Sequence, residues 1–306
     1  MYEQWTQKLK ELKAERSCGL SRPMEFLFNA LPRSDLDVYP FDLFLEFADH
    51  ALFLRHNSPY CKNLSEDDFF HYVLFPRVND EDISSHRPLF YSHLAHRIKF
   101  QELTLEQAVQ KTICFVREHS IYRPQDNRTA SPLAVYRNGL GRCGELSTFL
   151  TSALRSIGIA ARQVYVPRWS HCDDNHSWVE IKNDDGIWIF TGSNEPEPVR
   201  NRAWFNNAAS RTIIVHSRRF WGVMETELCT DTEWPKGSSP LGREGAVRWY
   251  NETRRYAGVK QCVFTIQSEG KPVSGARLSL HILNEAFLVP IATLTSDNEG
   301  KIKVEL

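Results

Sequence analysis

The stretch that most restricts the fold is Gly141-Arg142-Cys143-Gly144-Glu145 together with the apolar series on its C-terminal side. A glycine-rich turn, Asn138-Gly139-Leu140-Gly141, interrupts the preceding residues. Apolar residues then recur at Leu146, Phe149, Leu150, Ala153, Leu154 and Ile157, an i, i+3, i+4, i+7 series. The series predicts a helix that opens near Cys143 and is ended by Gly158. Three strand-like runs come next at 161–166, 177–181 and 187–190, and Asn183-Asp184-Asp185-Gly186 joins the last two as a hairpin turn. The chain therefore reads as α+β.

Upstream, residues 1–100 read as helical. Leu9 and Leu12 lie in a charged opening helix, and 41–55 carries Phe44, Leu45, Phe47, Ala48, Ala51 and Leu52 at helical spacing. Ser65-Glu66-Asp67-Asp68 and the pair Thr104 and Gln107 resemble capping boxes before apolar runs. From about residue 258 the period changes to two. Cys262, Phe264 and Ile266 share one face, as do Leu278, Leu280 and Ile282, with turns at 270–272 and 298–300. This predicts a short antiparallel β unit of about 50 residues, half of a usual sandwich. The expected division is a helical region at 1–100, a core at 101–256 and a partial β-sandwich-like unit at 257–306.

Charge and cysteine usage exclude several classes. Lys plus Arg is 37 and Asp plus Glu is 38, without the basic surplus of a nucleic-acid binder. No run reaches the ~18 apolar residues of a membrane span. The seven cysteines are scattered and form no CxxC pair, which argues against a disulfide framework and a zinc ribbon. The charged opening segment lacks an apolar signal region, so the chain as written reads as cytoplasmic. An exported chain trimmed of its leader would read the same.

Cys143 is the candidate nucleophile. A cysteine where a glycine-rich turn becomes a helix meets unpaired backbone N–H groups and the positive end of the helix dipole. Both favour the thiolate, and the same amides can hold an oxyanion. Gly144 allows a substrate backbone to approach. A buried cysteine opening an ordinary helix is the bland alternative. His176, at the start of the strand His176-Ser177-Trp178-Val179-Glu180-Ile181, is the candidate base, since a Cys–His pair makes an activated nucleophile.

Gly141-Arg142-Cys143-Gly144-Glu145, Ala160-Ala161-Arg162-Gln163-Val164-Tyr165 and Asp173-Asp174-Asn175-His176-Ser177-Trp178-Val179-Glu180-Ile181 together resemble the transglutaminase-like superfamily. That group takes in transglutaminases, peptide N-glycanases and bacterial proteins. The resemblance covers about residues 105–220 and implies a papain-like core, with Cys143 matching the family nucleophile and His176 the family base. The segment 250–261 and the β unit after it resemble the junction to a carboxypeptidase-regulatory-like domain of bacterial relatives. The implied chemistry is cysteine-dependent acyl transfer, or hydrolysis, on a protein or peptide amide through a thioester. Water makes the protein a protease or amidase, and an amine acceptor makes it a cross-linker. No cofactor is implied. The alternative is a decayed scaffold that binds protein or glycan.

The family usually orients its histidine with an Asp shortly after a strand. Here that strand reads Trp188-Ile189-Phe190-Thr191-Gly192, and Gly192 stands where the Asp is expected. Glu180 shares a face with His176, but four residues of strand span ~13 Å, too far to orient the ring. Asn194 and Glu195 lie just beyond, and either can fold back to hold the imidazole. Glu195 is favoured because a carboxylate also stabilises an imidazolium; a solvated loop carboxylate is nearly as good a reading. Trp169, Trp178 and Trp188 are candidates to wall the cleft, with core packing the safer reading for two of the three. Arg128 either lines the cleft or braces it. The run from His171 to His176 has ligand types that suit zinc, but its spacing matches no zinc pattern, so no metal site is expected.

Overall fold

Proline and caps divide the N-terminal helices. α1 (Tyr2–Ala14), α2 (Ser21–Ala30), α3 (Arg33–Val38) and α4 (Phe41–Asn57) come first. Pro32 and Pro40 stand at the N-caps of α3 and α4 with ψ of 143° and 147°, extended values that separate each helix from the one before. α5 (Glu66–Phe69) is capped by Ser65, whose Oγ accepts from the Asp68 N–H at 3.1 Å, and it passes into a π-helical turn, Phe70–Leu74. α6 (Arg87–Ile98) and α7 (Leu105–His119) come after it. Thr104 and Gln107 form the expected reciprocal box, with backbone-to-side-chain bonds of 3.3 and 3.1 Å. Next come β1 (Ile121–Tyr122), α8 (Pro132–Asn138), β2 (Leu140–Gly141), α9 (Cys143–Ser156), β3 (Ala161–Val166), β4 (His176–Lys182) and β5 (Trp188–Thr191).

The structure, a computed structural model, describes residues 2–14, 19–124, 129–197, 199–222, 239–284 and 286–306. The chain divides into two compact units, Met1–Gln163 with Ser177–Ala203, and Val164–His176 with Trp204–Leu306. The division passes through β3 and β4.

In the first unit α9 is the centre of the core. Leu146, Phe149, Leu150, Ala153 and Leu154 pack with Phe90 and Leu94 of α6, Ile113 and Val116 of α7, and Val179, Ile181 and Ile189 of β4 and β5. The apolar spacing predicts one buried face, yet every residue from Glu145 to Ser156 is buried. The small hydroxyl residues on the other face survive burial by bonding back to the preceding turn. Ser147 Oγ donates to the Cys143 carbonyl at 2.7 Å, Thr148 Oγ1 to Gly144 at 2.8 Å and Ser156 Oγ to Ser152 at 2.7 Å. Gly158 comes after the helix with φ of +89°, and a Cβ there would lie 2.6 Å from Ser58 Oγ, so both conformation and space require glycine. β4 and β5 pair antiparallel across the expected turn, where Asn183 Oδ1 accepts from the Ile187 N–H at 2.7 Å.

The second unit is almost all antiparallel β. It holds α10 (Asn206–Ala209), β6 (His216–Phe220), β7 (Ser239–Glu244), β8 (Val247–Asn251), β9 (Gln261–Thr265), β10 (Gln267–Ser268), β11 (Lys271–Pro272), β12 (Arg277–Asn284), β13 (Phe287–Thr295) and β14 (Lys301–Glu305). β6 pairs with β8, β8 with β7, β9 with β14 and β12 with β13; Val164 and Tyr165 of β3 pair with Ser217 and His216 of β6. The half-sandwich expected after residue 257 is not left to itself. Ile214 and Leu241 join Ile282, Ile291, Leu294, Ile302 and Val304 in one core. Period-two reading missed β6 and β8 because arginines interrupt their alternation. Those arginines stack on tryptophans, Arg218 on Trp249 at 4.6 Å and Arg248 on Trp221 at 4.8 Å. Tyr250, expected to open a junction, lies inside β8.

Candidate functional site

Cys143 is the first residue of α9 and is partly exposed, while the helix beyond Gly144 is buried. The preceding residue, Arg142, has no acceptor atom with which to cap the first turn. Glu145 reaches back instead. Its carboxylate, 1% exposed, accepts from the Arg142 N–H at 2.6 Å and from the Ala130 N–H at 3.1 Å. The remaining first-turn N–H groups have no intrahelical partner, as in any α-helix, and they flank the thiol. Among the described residues, a Cβ added at Gly144 would meet only Ser177 Oγ, at 3.8 Å, so they do not crowd that position.

A second layer of polar groups holds this turn from behind. Gln163 Nε2 donates to the Gly144 carbonyl at 2.9 Å and to Ser147 Oγ at 2.7 Å. Ser147 Oγ lies 3.3 Å from Ser177 Oγ. Gln163, Ser147 and Ser177 were not singled out from the sequence. Gln163 carried a usable signal, since a lone amide in an apolar strand must find partners when buried.

His176 lies in the second unit, at the start of β4. Its ring is 4.9 Å from that of Trp204, 5.0 Å from Phe205 and 6.1 Å from Trp169, the last nearly parallel at 26°. Burial against these rings pushes the imidazole down to about 4, although Asp174 pulls the other way. The ring is therefore neutral at pH 7 and able to accept a proton. Trp204 and Phe205 had no sequence signal; they come after a loop and touch His176 only through the fold.

The tryptophans differ from one another. Trp169 is 3% exposed and stands beside His176, whereas Trp178 is 0% exposed and Trp188 7%. Trp178 thus offers no surface to a substrate, and Trp169 almost none. Trp188 meets Tyr72 edge-on and carries over its face the Arg162 guanidinium, which is paired with Glu180 at 2.8 Å. Glu180 is accordingly occupied, in line with its exclusion as the orienting group. Arg128 lies outside the described residues.

At Gly192 the geometry bears on the expected orienting residue. A Cβ built there would meet Glu195 Oε2 at 2.6 Å. The Glu195 side chain folds back over the glycine, and its Oε2 also accepts from the Asn194 N–H at 3.4 Å. Buried hydroxyls of Thr191 and Ser193, each 6% exposed, flank this position without a hydrogen-bond partner among the described residues. Asp173 is bonded to Arg168 at 2.5 Å, and among the described residues no three His, Cys, Asp or Glu side chains gather as a metal site. Among those residues, too, no helix is long and apolar enough to cross a membrane.

The family comparison agrees with the expected core. Residues 92–192 match the family model of the transglutaminase-like superfamily. No curated protein matches the chain. A solved structure described as a putative cysteine protease from Cytophaga hutchinsonii aligns at 15% identity and a TM-score of 0.37, over 46% of this chain and 47% of that one.

Proposed function

We propose that this protein is a thiol enzyme that acts on a protein or peptide amide, with Cys143 as nucleophile and His176 as base. The observation that carries the reading is the placing of Cys143: the thiol opens, partly exposed, a helix that is buried from Glu145 onward. We assign the chemistry to 101–256, flanked by the helical region 1–100 and the β unit 257–306.

In the first step His176 accepts the thiol proton, and the thiolate attacks the amide carbonyl. First-turn N–H groups of α9 stabilise the oxyanion. His176 returns the proton to the departing amine, leaving a thioester. Water, or an amine acceptor, then resolves the thioester. Glu195 is the favoured positioning residue for the imidazole, with Asn194 the alternative. The carboxylate that lies over Gly192 supports that choice, because it fills the space a side chain at 192 would take.

Alkylation with iodoacetamide tests the reading, with peptide mapping of Cys143 from about pH 5 to about pH 9. The expected result is labelling at least about tenfold faster than a free cysteine near pH 6, lost in His176→Ala. Labelling at the free-thiol rate, unchanged by the mutation, would move the assignment to a binding scaffold. The glycine at 192 is the feature that favours that second reading.

A further inference from the structure

The second unit holds a cleft of about 570 Å³, lined throughout by residues of Trp204–Leu306. Clefts of about 300–1,000 Å³ take small organic ligands. β6 and β8 supply His216 and Trp249, whose rings meet edge to face at 4.6 Å. β12 and β13 supply Arg277, Thr293 and Thr295. Arg277 is directly opposite Thr295 in the ladder, and Thr293 lies two residues before Thr295 in the same strand. The three side chains therefore share one face of that hairpin. Leu241 of β7 and Ile291 of β13 add an apolar wall.

The polar groups of this cleft lack partners of their own. His216 is 7% exposed, and among the described residues nothing hydrogen-bonds to its Nδ1. Folded proteins rarely leave a buried polar atom so. Burial holds the imidazole neutral, with one N–H donor and one acceptor nitrogen. Among the described residues the Arg277 guanidinium has no ion pair or hydrogen bond, and the Thr293 and Thr295 hydroxyls have no hydrogen bond. Among those residues, too, no Asp or Glu lines the cleft. An unpaired guanidinium with no carboxylate beside it favours an anion. The apolar wall favours an anion with an organic body.

We propose that this cleft binds a small organic carboxylate. Arg277 holds the acid group through two parallel N–H bonds, a geometry that suits a guanidinium and a carboxylate. One guanidinium also matches one carboxylate in charge, whereas a phosphate dianion would keep charge uncompensated. The apolar part of the ligand packs against Leu241, Ile291 and Trp249, which removes that surface from water. A polar atom elsewhere on the ligand, or a water it retains, supplies the partner that His216 Nδ1 lacks. The site stands whether or not Cys143 is reactive, since none of its residues takes part in the thiol chemistry.

Calorimetric titration of the full chain tests this with 4-phenylbutyrate, its neutral amide, acetate and inorganic phosphate. We expect 4-phenylbutyrate to bind at least about tenfold more tightly than the other three. Arg277→Gln should remove that advantage and Arg277→Lys should keep part of it. Lys303→Gln, at an exposed position of β14, should leave it unchanged. Circular dichroism checks the fold of each variant. A second measurement needs no variant: phenylglyoxal modification of Arg277, read by peptide mapping, should be slowed at least about tenfold by saturating 4-phenylbutyrate. No binding of the acid, equal binding of acid and amide, a preference retained in Arg277→Gln, or Arg277 modification indifferent to the acid overturns the site. Phosphate bound as tightly as 4-phenylbutyrate overturns the carboxylate assignment.

Discussion

Cys143 opens a helix whose first turn is tied by Glu145, Gln163 and Ser147, whereas His176 opens a strand and is held among Trp169, Trp204 and Phe205. The two units thus fix these two candidate side chains by different means. Hydrogen bonds are directional, so the first unit sets where the thiol turn stands and what its amides face. Ring packing is less directional but excludes water, so the second unit sets the proton affinity of the imidazole. The cores differ in the same sense. Phe149 of α9 is 0% exposed, while strand β9 alternates exposed and half-buried residues, Phe264 among the latter.

This contrast between the units can be broken at several points, the largest effect first. His176→Ala should slow thiol labelling and any amide turnover by roughly 10²–10⁴-fold, read by peptide mapping, while the urea midpoint stays close to wild type. A loss confined to stability would mean that the ring is packing only. Phe149→Ala should cost ~3–5 kcal/mol in urea unfolding, and Phe264→Ala about half as much or less. Equal costs would remove the distinction between the two cores.

Acid should act on both units. Burial holds His50 and His176 at about 4 and His86 and His216 at about 3. Each folded value lies below the ~6.5 of an unfolded imidazole, so the unfolded chain binds more protons between the two. The contribution is complete above about pH 6.5 and is lost as pH falls towards 3, at ~1 kcal/mol per pH unit for each ring. Urea midpoints at pH 7 and pH 5 measure it; identical midpoints would show these rings to be solvated.

Gln163→Ala should cost ~1–3 kcal/mol because Ser147 and the Gly144 carbonyl lose a buried donor. It should also slow labelling of Cys143, with Gln163→Glu no better. The smallest effect concerns Glu195. Glu195→Ala should slow His176-dependent labelling by about tenfold or less. Gly192→Asp in that background should recover it, since the space over residue 192 is then open. Recovery failing, with the double variant folded by circular dichroism, would assign the positioning role to Asn194.

Much of the local structure was legible in the chain. The helix at Cys143, the Thr104 and Gln107 box, the Asn183–Gly186 turn and the strands after Gly158 arise from caps, glycines and spacing, within a few residues of where those features stand. The strands β6 and β8 were not legible, because Arg218 and Arg248 occupy positions that stacked tryptophans make tolerable. Nor was the burial of both faces of α9. Its hydroxyl residues look solvent-facing until the turn-to-turn bonds that satisfy them are seen.

The candidate site divides along the same line. By itself the sequence determined that a cysteine opens a helix after a glycine turn, that a histidine opens a strand, and that position 192 lacks the expected carboxylate. These are short-range facts, carried by backbone geometry and neighbouring residues. Only the tertiary structure decided that Gln163 braces the first turn, that Trp204 and Phe205 desolvate His176, that Glu195 lies over Gly192 and that Asn284 brings a hairpin tip to the segment before His176. The contacts of Gln163, Trp204, Phe205 and Asn284 join residues 15 to 115 positions apart, and no local pattern encodes such partners. Glu195 is only three residues from Gly192, yet the sequence does not say whether its side chain folds back or points to solvent; the structure folds it back over Gly192.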